Sequence, residues 1–120
     1  MKRIDLHVHS TESDGSLTPT KLVALALEKG LFAMALTDHD TTSGLEEAKL
    51  AAQGTSLEIV NGIEFSTQYD QLDIHILGLD IQYDNPHFQE KIKEFQEQRS
   101  RRNEQMCAKL REHGVSISYA

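Results

Sequence analysis

The sequence predicts an α/β protein in which parallel strands alternate with helices. Three observations support this class. Apolar segments of strand length alternate with segments of helical spacing, polar residues follow the strands where each one ends, and one long helical segment lies near the C-terminus. We therefore expect βαβ units whose strand ends share one edge of a sheet.

The first predicted strand is Arg3–Val8, in which apolar residues occupy alternate positions. Successive side chains of a strand point to opposite faces, so His7 and His9 should point to the same face, together with Asp5. The strand therefore presents two imidazoles side by side at its end.

A first helix and a second strand follow. Thr18 is the expected N-cap, Pro19 the first helical residue, and Gly30 the residue that ends the helix. Leu31–Leu36 is then predicted as a buried strand. It is followed directly by the polar cluster at residues 37 to 40, which the strand delivers to the same edge.

The third part of the pattern contains one helix and several extended segments. Ser43 to Glu46 fits a capping box, which predicts a second helix that runs to about Gln53 and stops at Gly54. Extended segments are expected at residues 57 to 60, 63 to 67 and 72 to 79. Counted separately, they bring the number of predicted strands to five.

The C-terminal part predicts a long helix between Asn85, as N-cap, and Gly114, either unbroken or as two helices joined by a break. Residues 115 to 120 resemble the start of a further element. We expect residues 1 to 84 to form the N-terminal half of a barrel, and residues 85 to 120 to hold the long helix and that further element.

Composition excludes several classes of protein. The chain has 120 residues, 38% hydrophobic and 26% charged, which fits one globular domain. Its formal net charge of −7 argues against a surface that coats nucleic acid. Cys107 is the single cysteine, so no internal disulfide is possible, and no apolar segment is long enough for a signal peptide or membrane span. We expect a cytoplasmic protein without a membrane segment.

Six side chains that can bind metal are expected at the shared edge of the sheet: His7, His9, Asp14, His39, Glu64 and His75. A single histidine in a strand more often has a structural role, and this remains the alternative for each residue taken alone. Their occurrence on separate strands favours a metal site instead. His87 and His113, at the two ends of the long helix, are expected to be structural.

Five motifs resemble, in order and spacing, those of the PHP (polymerase and histidinol phosphatase) phosphoesterases. They are Asp5–Ser10, Ser13–Gly15, Thr37–Asp40, Gly62–Glu64 and His75–Gly78. The Ser-Asp-Gly motif resembles the variant of the family that includes nucleoside 3′,5′-bisphosphate phosphatases, which are also 5′-to-3′ exoribonucleases. The resemblance implies the N-terminal portion of a distorted (β/α)7 barrel that holds up to three divalent ions of Mn, Fe or Zn.

The resemblance also implies how the ligands divide among the ions. One ion would be held by His7, His9 and Glu64, and Glu64 would bridge to a second ion held by His75. Asp14 and His39 would hold a third. Each ion would then lack one ligand in this chain.

The implied nucleophile is a water held by the ions, and no protein nucleophile is needed. Asp5 and Asp38 are expected to support the ligands by accepting hydrogen bonds from imidazoles. For Asp38, a cap of a helix or loop is an equal alternative.

The long helix carries a second signal. Its apolar residues form a stripe in which two positions are taken by arginines. The apolar members are Phe88, Ile92, Phe95, Met106 and Leu110. Arg99 and Arg102 therefore occupy inward positions, where a guanidinium needs an anion, and substrate phosphate is the preferred candidate. The alternative is that they pair with buried carboxylates or extend to solvent.

These expectations combine into a metal-dependent phosphoesterase that acts on small phosphorylated nucleotides or short RNA ends. The alternatives are a metal-binding fragment without catalysis, or a PHP phosphatase of another substrate such as histidinol phosphate. Too few strands are present to close a barrel, so the sheet should have an open edge. We expect the 120-residue chain to form homo-oligomers and to have little phosphatase activity alone.

Overall fold

The computed structural model describes residues 1 to 119, and Ala120 lies outside the described residues. The chain divides into two compact units, Met1–Asp84 and Asn85–Ala120. The first unit contains all strands and two helices among the described residues, and the second contains one long helix.

The first unit is an open sheet with two helices. Its elements in chain order are β1 (Arg3–Val8), α1 (Pro19–Glu28), β2 (Leu31–Leu36), α2 (Leu45–Ala52), β3 (Glu58–Tyr69) and β4 (Leu72–Leu79). The strands lie in the order β1-β2-β3-β4, with β1, β2 and β3 parallel and β4 antiparallel to β3. The predicted alternation of parallel strands with helices is therefore correct as far as β3, and β4 departs from it.

The bounds of α1 follow from its caps. The side chain of Thr18 accepts a hydrogen bond from the backbone N–H of Lys21 at 3.3 Å, and Pro19 opens the helix. Gly30 has a φ of +67°, which glycine adopts without steric cost, and the chain turns there into β2. The predicted first helix and second strand are confirmed.

The predicted capping box at the start of α2 is wrong. The N-cap is Gly44, which has no side chain to accept a bond, and the hydroxyl of Ser43 instead donates to a carboxylate oxygen of Glu12 at 2.6 Å. Glu46, the expected reciprocal partner, hydrogen-bonds the hydroxyl of Tyr83. Partners distant in sequence have replaced the local pairing that the motif predicts.

Strand β3 joins two segments that the sequence separates. Its first part pairs with β2 through residues 58 to 61, and its second part pairs with β4 through residues 62 to 69. The predicted count of five strands is therefore wrong, and the described residues contain four. Gly62 marks the junction, since a Cβ there would lie 2.7 Å from the carbonyl oxygen of Leu36.

The core lies between the two helices and one face of the sheet. Its buried members come from α1, β2, α2 and the start of β3: Val23, Ala26, Met34, Leu36, Leu45, Ala48, Ala52 and Leu57. Burial of these side chains fixes the sheet against the helices and leaves the strand ends free to carry polar residues.

The second unit is built on α3 (Pro86–Glu112), which is one unbroken helix. The side chain of Asn85 accepts hydrogen bonds from the backbone N–H groups of His87 and Phe88. Gly114 has a φ of +83° just beyond the C-terminal end. Residues 115 to 119 have no regular secondary structure, and the rest of the predicted further element falls on Ala120, outside the described residues.

The predicted stripe on α3 is only partly correct. Phe95 and Leu110 are half-buried and Ile92 is buried, but Met106 and Arg102 are exposed. The inward position predicted for Arg102 is therefore wrong. Over several turns the less exposed face shifts to residues 99, 103 and 107, because an α-helix does not repeat in whole numbers of residues.

None of the helices in the described residues is long and apolar enough to cross a membrane.

Candidate metal centre

Glu64 is the centre of the candidate site. Only 4% of this residue is exposed, and both carboxylate oxygens face imidazoles. The Oε2 atom lies 3.0 Å from His7 Nε2, 2.9 Å from His9 Nε2 and 3.6 Å from His39 Nδ1. The Oε1 atom lies 3.2 Å from His75 Nδ1. Four histidines from three parts of the chain therefore surround one buried carboxylate.

The backbone of the sheet brings His39 to Glu64. Beyond the end of β2, the N–H of Asp40 donates to the carbonyl of Glu64 at 3.0 Å, and the N–H of Glu64 donates to the carbonyl of Asp38 at 3.1 Å. These two bonds continue the parallel pairing one step past the regular strand. His39 is thus fixed next to the carboxylate by main-chain contacts alone.

The hairpin of β3 and β4 brings His75 to the same face. His75 lies opposite Ser66 in the antiparallel register, and directly opposed residues share a face of the sheet. Glu64 is two residues before Ser66 and therefore on that face too. His7 lies near the end of β1, and His9 directly follows its last residue and keeps the alternation expected from the sequence.

Asp14 reaches the site from the loop after β1. Its Oδ1 lies 3.4 Å from His9 Nδ1 and its Oδ2 lies 3.3 Å from His39 Nε2. The rings of His9 and His39 are stacked with centroids 4.6 Å apart, so Asp14 spans the edges of both. The loop folds back tightly at Gly15, where a Cβ would lie 2.3 Å from the carbonyl oxygen of His9.

The six predicted side chains form three overlapping groups that could each hold a metal ion. The groups are His7, His9 and Glu64; His9, Asp14 and His39; and His39, Glu64 and His75. In each group the three ligand atoms lie within 4.8 Å of one another. The structure therefore brings together all six residues that the sequence singles out.

The charges at the centre suit a cation. Burial alone would raise the pKa of Glu64, but the hydrogen bond with His7 and the charges of His39, His7 and His9 outweigh it and lower the pKa. Within residues 1 to 119, no lysine or arginine pairs with this carboxylate. His9 Nδ1 is buried and forms no hydrogen bond in the same range, as expected for an imidazole nitrogen that binds a metal.

The sequence matches a known family over almost its whole length. The family described as PHP domain matches residues 5–114. The chain belongs to the PHP family. A 5′-3′ exoribonuclease from Haemophilus influenzae is 38% identical over 118 residues, which cover 98% of this chain and 43% of the relative. A 3′,5′-nucleoside bisphosphate phosphatase from Chromobacterium violaceum is 40% identical over 116 residues, which cover 97% of this chain and 41% of the relative.

A solved structure agrees with the sequence matches. A protein from Bifidobacterium adolescentis described as a metal-dependent phosphoesterase has a TM-score of 0.87 and 30% identity to this chain. The superposition covers 98% of this chain and 41% of that protein. The PHP chain thus spans about two fifths of the length of these relatives.

The two supporting aspartates of this PHP chain have different contacts from those expected. Asp5 accepts a hydrogen bond from the backbone N–H of His7 at 3.2 Å, and not from an imidazole. Asp38 accepts hydrogen bonds from Ser10 and Ser13, so the loop-cap alternative describes it. Serine hydroxyls are closer to its carboxylate than any imidazole, because the loop folds over the end of β2.

Asp40 is a supporting residue that the sequence reasoning did not single out. It is buried, has a φ of +53°, and accepts a hydrogen bond from the backbone N–H of Ser66 at 3.0 Å. Aspartate is one of the few residues besides glycine that adopt this conformation readily. The sequence signal for this role is the last residue of the Thr-Asp-His-Asp motif, because an aspartate directly after the histidine suggests a turn.

The two arginines predicted to contact phosphate lie on α3, in the second unit. Arg99 is half-buried and Arg102 is exposed. Their contact with phosphate stays a prediction.

Proposed function

We propose that this PHP chain holds divalent ions for a phosphoesterase that hydrolyses phosphomonoesters of small nucleotides. The first substrate class is 3′,5′-bisphosphonucleotides, and the second is the 5′ ends of short oligoribonucleotides. The observation that carries the proposal is the buried Glu64 carboxylate, which is shared by two of the three ligand groups. The names of the two curated relatives support the choice of substrates.

The donor set fits Mn, Fe or Zn. Neutral imidazole and carboxylate are the ligands that these ions take in proteins, and three protein ligands with an open position is the pattern of catalytic zinc sites. We assign up to three ions to these groups, with Glu64 common to two of them. His9 and His39 also belong to two groups each, and each neutral imidazole can bind one ion at a time. When bound, the ions would supply an activated water and neutralise charge that develops on the phosphate oxygens.

The protein side chains have three tasks in this proposal. Glu64 would offer its carboxylate to two of the groups, and its negative charge would reduce the repulsion between neighbouring cations. The imidazoles must be neutral to offer a lone pair to an ion. His7 and His75 have side chains that are 51% and 48% exposed, so a phosphate can approach the ligand groups from solvent.

No protein nucleophile is assigned. Two serines, Ser10 and Ser13, flank the site in the segment that carries Asp14, and both hydroxyls donate to Asp38 at 2.6 Å. A hydroxyl that donates to a carboxylate could be activated as a nucleophile only with a base free to accept its proton. Asp38 is buried and already accepts three hydrogen bonds, so water is the better candidate.

For the substrate phosphate, Arg99 and Arg102 remain our candidates. Arginine offers two parallel N–H donors that match phosphate geometry, and its charge persists at any physiological pH.

A second candidate function is metal binding without catalysis. The observation that favours it is that the ligand groups suffice for binding ions, whereas the chain spans about two fifths of the length of each relative. A PHP phosphatase of another substrate, such as histidinol phosphate, is the third possibility. Metal binding alone would release no phosphate from any substrate. A phosphatase of another substrate would release phosphate from that compound and not from the bisphosphonucleotide.

The test is phosphate release from 3′-phosphoadenosine 5′-phosphate by the manganese-loaded protein. Histidinol phosphate and a 5′-phosphorylated short RNA serve as comparison substrates. We expect slow release that depends on manganese, is greatest with the bisphosphonucleotide, and disappears in Glu64→Gln. Glu112→Gln, which changes an exposed glutamate on the second unit in the same way, is the matched control and should keep the wild-type rate. Manganese binding without release above the Glu64→Gln rate would favour metal binding alone.

A further inference from the structure

The loop at residues 10 to 15 carries Asp14 and is folded by its own backbone. The N–H groups of Ser13 and Gly15 both donate to the carbonyl of Ser10, at 3.1 and 2.8 Å. Asp14 itself is weakly held, because its side chain is 62% exposed. Its position beside the imidazoles therefore depends on how the loop is anchored.

Asp38 supplies that anchor. Only 2% of this residue is exposed, and its carboxylate accepts three hydrogen bonds from the loop. Its Oδ1 accepts from the backbone N–H of Ser10 at 2.7 Å and from the hydroxyl of Ser13 at 2.6 Å, and its Oδ2 accepts from the hydroxyl of Ser10 at 2.6 Å. Hydrogen bonds to a buried carboxylate are among the strong ones, and loss of the charge would leave these donors poorly satisfied.

Asp38 helps to place both residues of the contact between Asp14 and His39. Asp38 is followed in the chain by His39, whose Nε2 lies 3.3 Å from Asp14 Oδ2. Ser13, which donates to Asp38, is followed by Asp14. The bond between Ser13 and Asp38 therefore ties together the two residues that precede the two ligands.

The other two ligand groups depend less on this loop. His7, Glu64 and His75 lie on strands β1, β3 and β4, and His39 is fixed by backbone bonds between the segment after β2 and β3. His9, which follows the last residue of β1 and precedes the loop, is the one residue that the group of His7 and Glu64 shares with the group of Asp14. Asp14 is the one member of the six that lies within the loop itself.

We infer that Asp38 is a positioning residue that sets the affinity of one ion selectively, the ion held by His9, Asp14 and His39. It does so through Ser10 and Ser13, without binding the ion itself. The inference rests on the proposed function, because it requires ions in the ligand groups. It extends that function, because the affinity for the ion of the Asp14 group would change independently of the affinities for the two ions that share Glu64.

The experiment is a manganese titration of the full chain, with free ion counted by electron paramagnetic resonance. The variants are Asp38→Asn, which keeps the shape and removes the charge, Ser13→Ala, which removes one bond to Asp38, and Asp14→Ala, which removes the ligand. Asp84→Asn, an exposed aspartate, is the matched control for loss of one negative charge.

We expect Asp14→Ala to lose one equivalent of manganese. Asp38→Asn should weaken that same equivalent by about 10- to 100-fold, the usual effect of removing a residue that orients a ligand. Ser13→Ala should act in the same direction with a smaller effect. The remaining equivalents should keep wild-type affinity in all variants, and Asp84→Asn should match wild type throughout.

Two results would overturn the inference. Asp38→Asn and Ser13→Ala could both bind every equivalent as wild type does, or they could weaken all equivalents equally, which is the signature of a general structural role. Circular dichroism checks the fold, and Ser13→Ala carries the test if Asp38→Asn does not fold. Wild-type protein that binds no manganese would refute the proposed metal centre itself, which is a separate outcome.

Discussion

The double variant His7→Ala with His9→Ala tests the metal centre most directly. His7 belongs to one ligand group and His9 to two, so the double change alters two of the three groups. The first group keeps only Glu64, the group of Asp14 loses one of three ligands, and the group of His75 is intact. We therefore expect the bound metal to fall to about a third of its wild-type value.

The size of the loss can be estimated for zinc. Structural zinc binds with about 10–16 kcal/mol over four ligands, or about 2.5–4 kcal/mol for each ligand. At 1.4 kcal/mol per factor of ten, each lost ligand weakens binding by about 60- to 700-fold. The ion of the first group should be lost outright, and the ion of the Asp14 group should need about 100-fold more free zinc.

The assay is elemental analysis after equilibrium dialysis against buffered zinc, with circular dichroism to verify the fold. The matched control is His87→Ala with His113→Ala, two exposed histidines on the second unit. This control should retain full metal. Equal zinc in wild type and in His7→Ala with His9→Ala would show that these imidazoles are not ligands and would refute the reasoning.

Further predictions concern phosphate, the sheet and association. Arg99→Ala and Arg102→Ala should each weaken phosphate binding to metal-loaded protein by about 1.5–3 kcal/mol without loss of metal, measured by calorimetry, whereas exposed Arg101→Ala should have no effect. Equal phosphate affinity in all three would return Arg99 and Arg102 to a structural role. Gly62→Ala should destabilise the fold by about 1–3 kcal/mol in urea, because its Cβ would meet the Leu36 carbonyl, and an unchanged midpoint would contradict this close approach. Sedimentation should detect dimers or larger species, since β1 and β4 are edge strands, and a monodisperse monomer would contradict that expectation.

Much of the first unit could be predicted because its signals are local. The N-cap at Thr18, the proline after it and the glycine at residue 30 define α1 without reference to any other part of the chain. Strand alternation in β1 likewise fixes the common direction of His7 and His9. From these elements alone, the rule that parallel strands end at one edge brings His39 towards them.

The hairpin could not be predicted with the same ease. Its two-residue turn is Asp70-Gln71, and both residues have positive φ values, 48° and 64°. This is the geometry of a type I′ turn, which is recognised in sequences by Asn-Gly, Asp-Gly or Gly-Gly, and here Gln71 stands where glycine is expected. The strands around it were predicted, but the pairing that places His75 opposite Ser66 had no sequence signal.

Side-chain partners distant in sequence explain the remaining differences. Ser43 bonds Glu12 and not its own helix, and Asp38 bonds two serines and not an imidazole. In both cases a local motif offers a plausible short-range partner, and the folded chain supplies a closer one. Such competition depends on tertiary structure, so a motif alone cannot decide it.

The placement of ligands on strands and on a loop has a consequence for how the ions should bind. Glu64 is held on both sides of its strand by backbone pairing, so the two groups that share it are built on a backbone that is fixed before any ion arrives. Asp14 is ordered only as far as its loop is ordered, and that loop is held by the carboxylate of Asp38. The ions that share Glu64 should therefore bind with little change in the protein, whereas the ion of the Asp14 group must also offset the entropy of ordering an exposed side chain. A stepwise titration, with the Asp14 group filled last, follows directly from that difference.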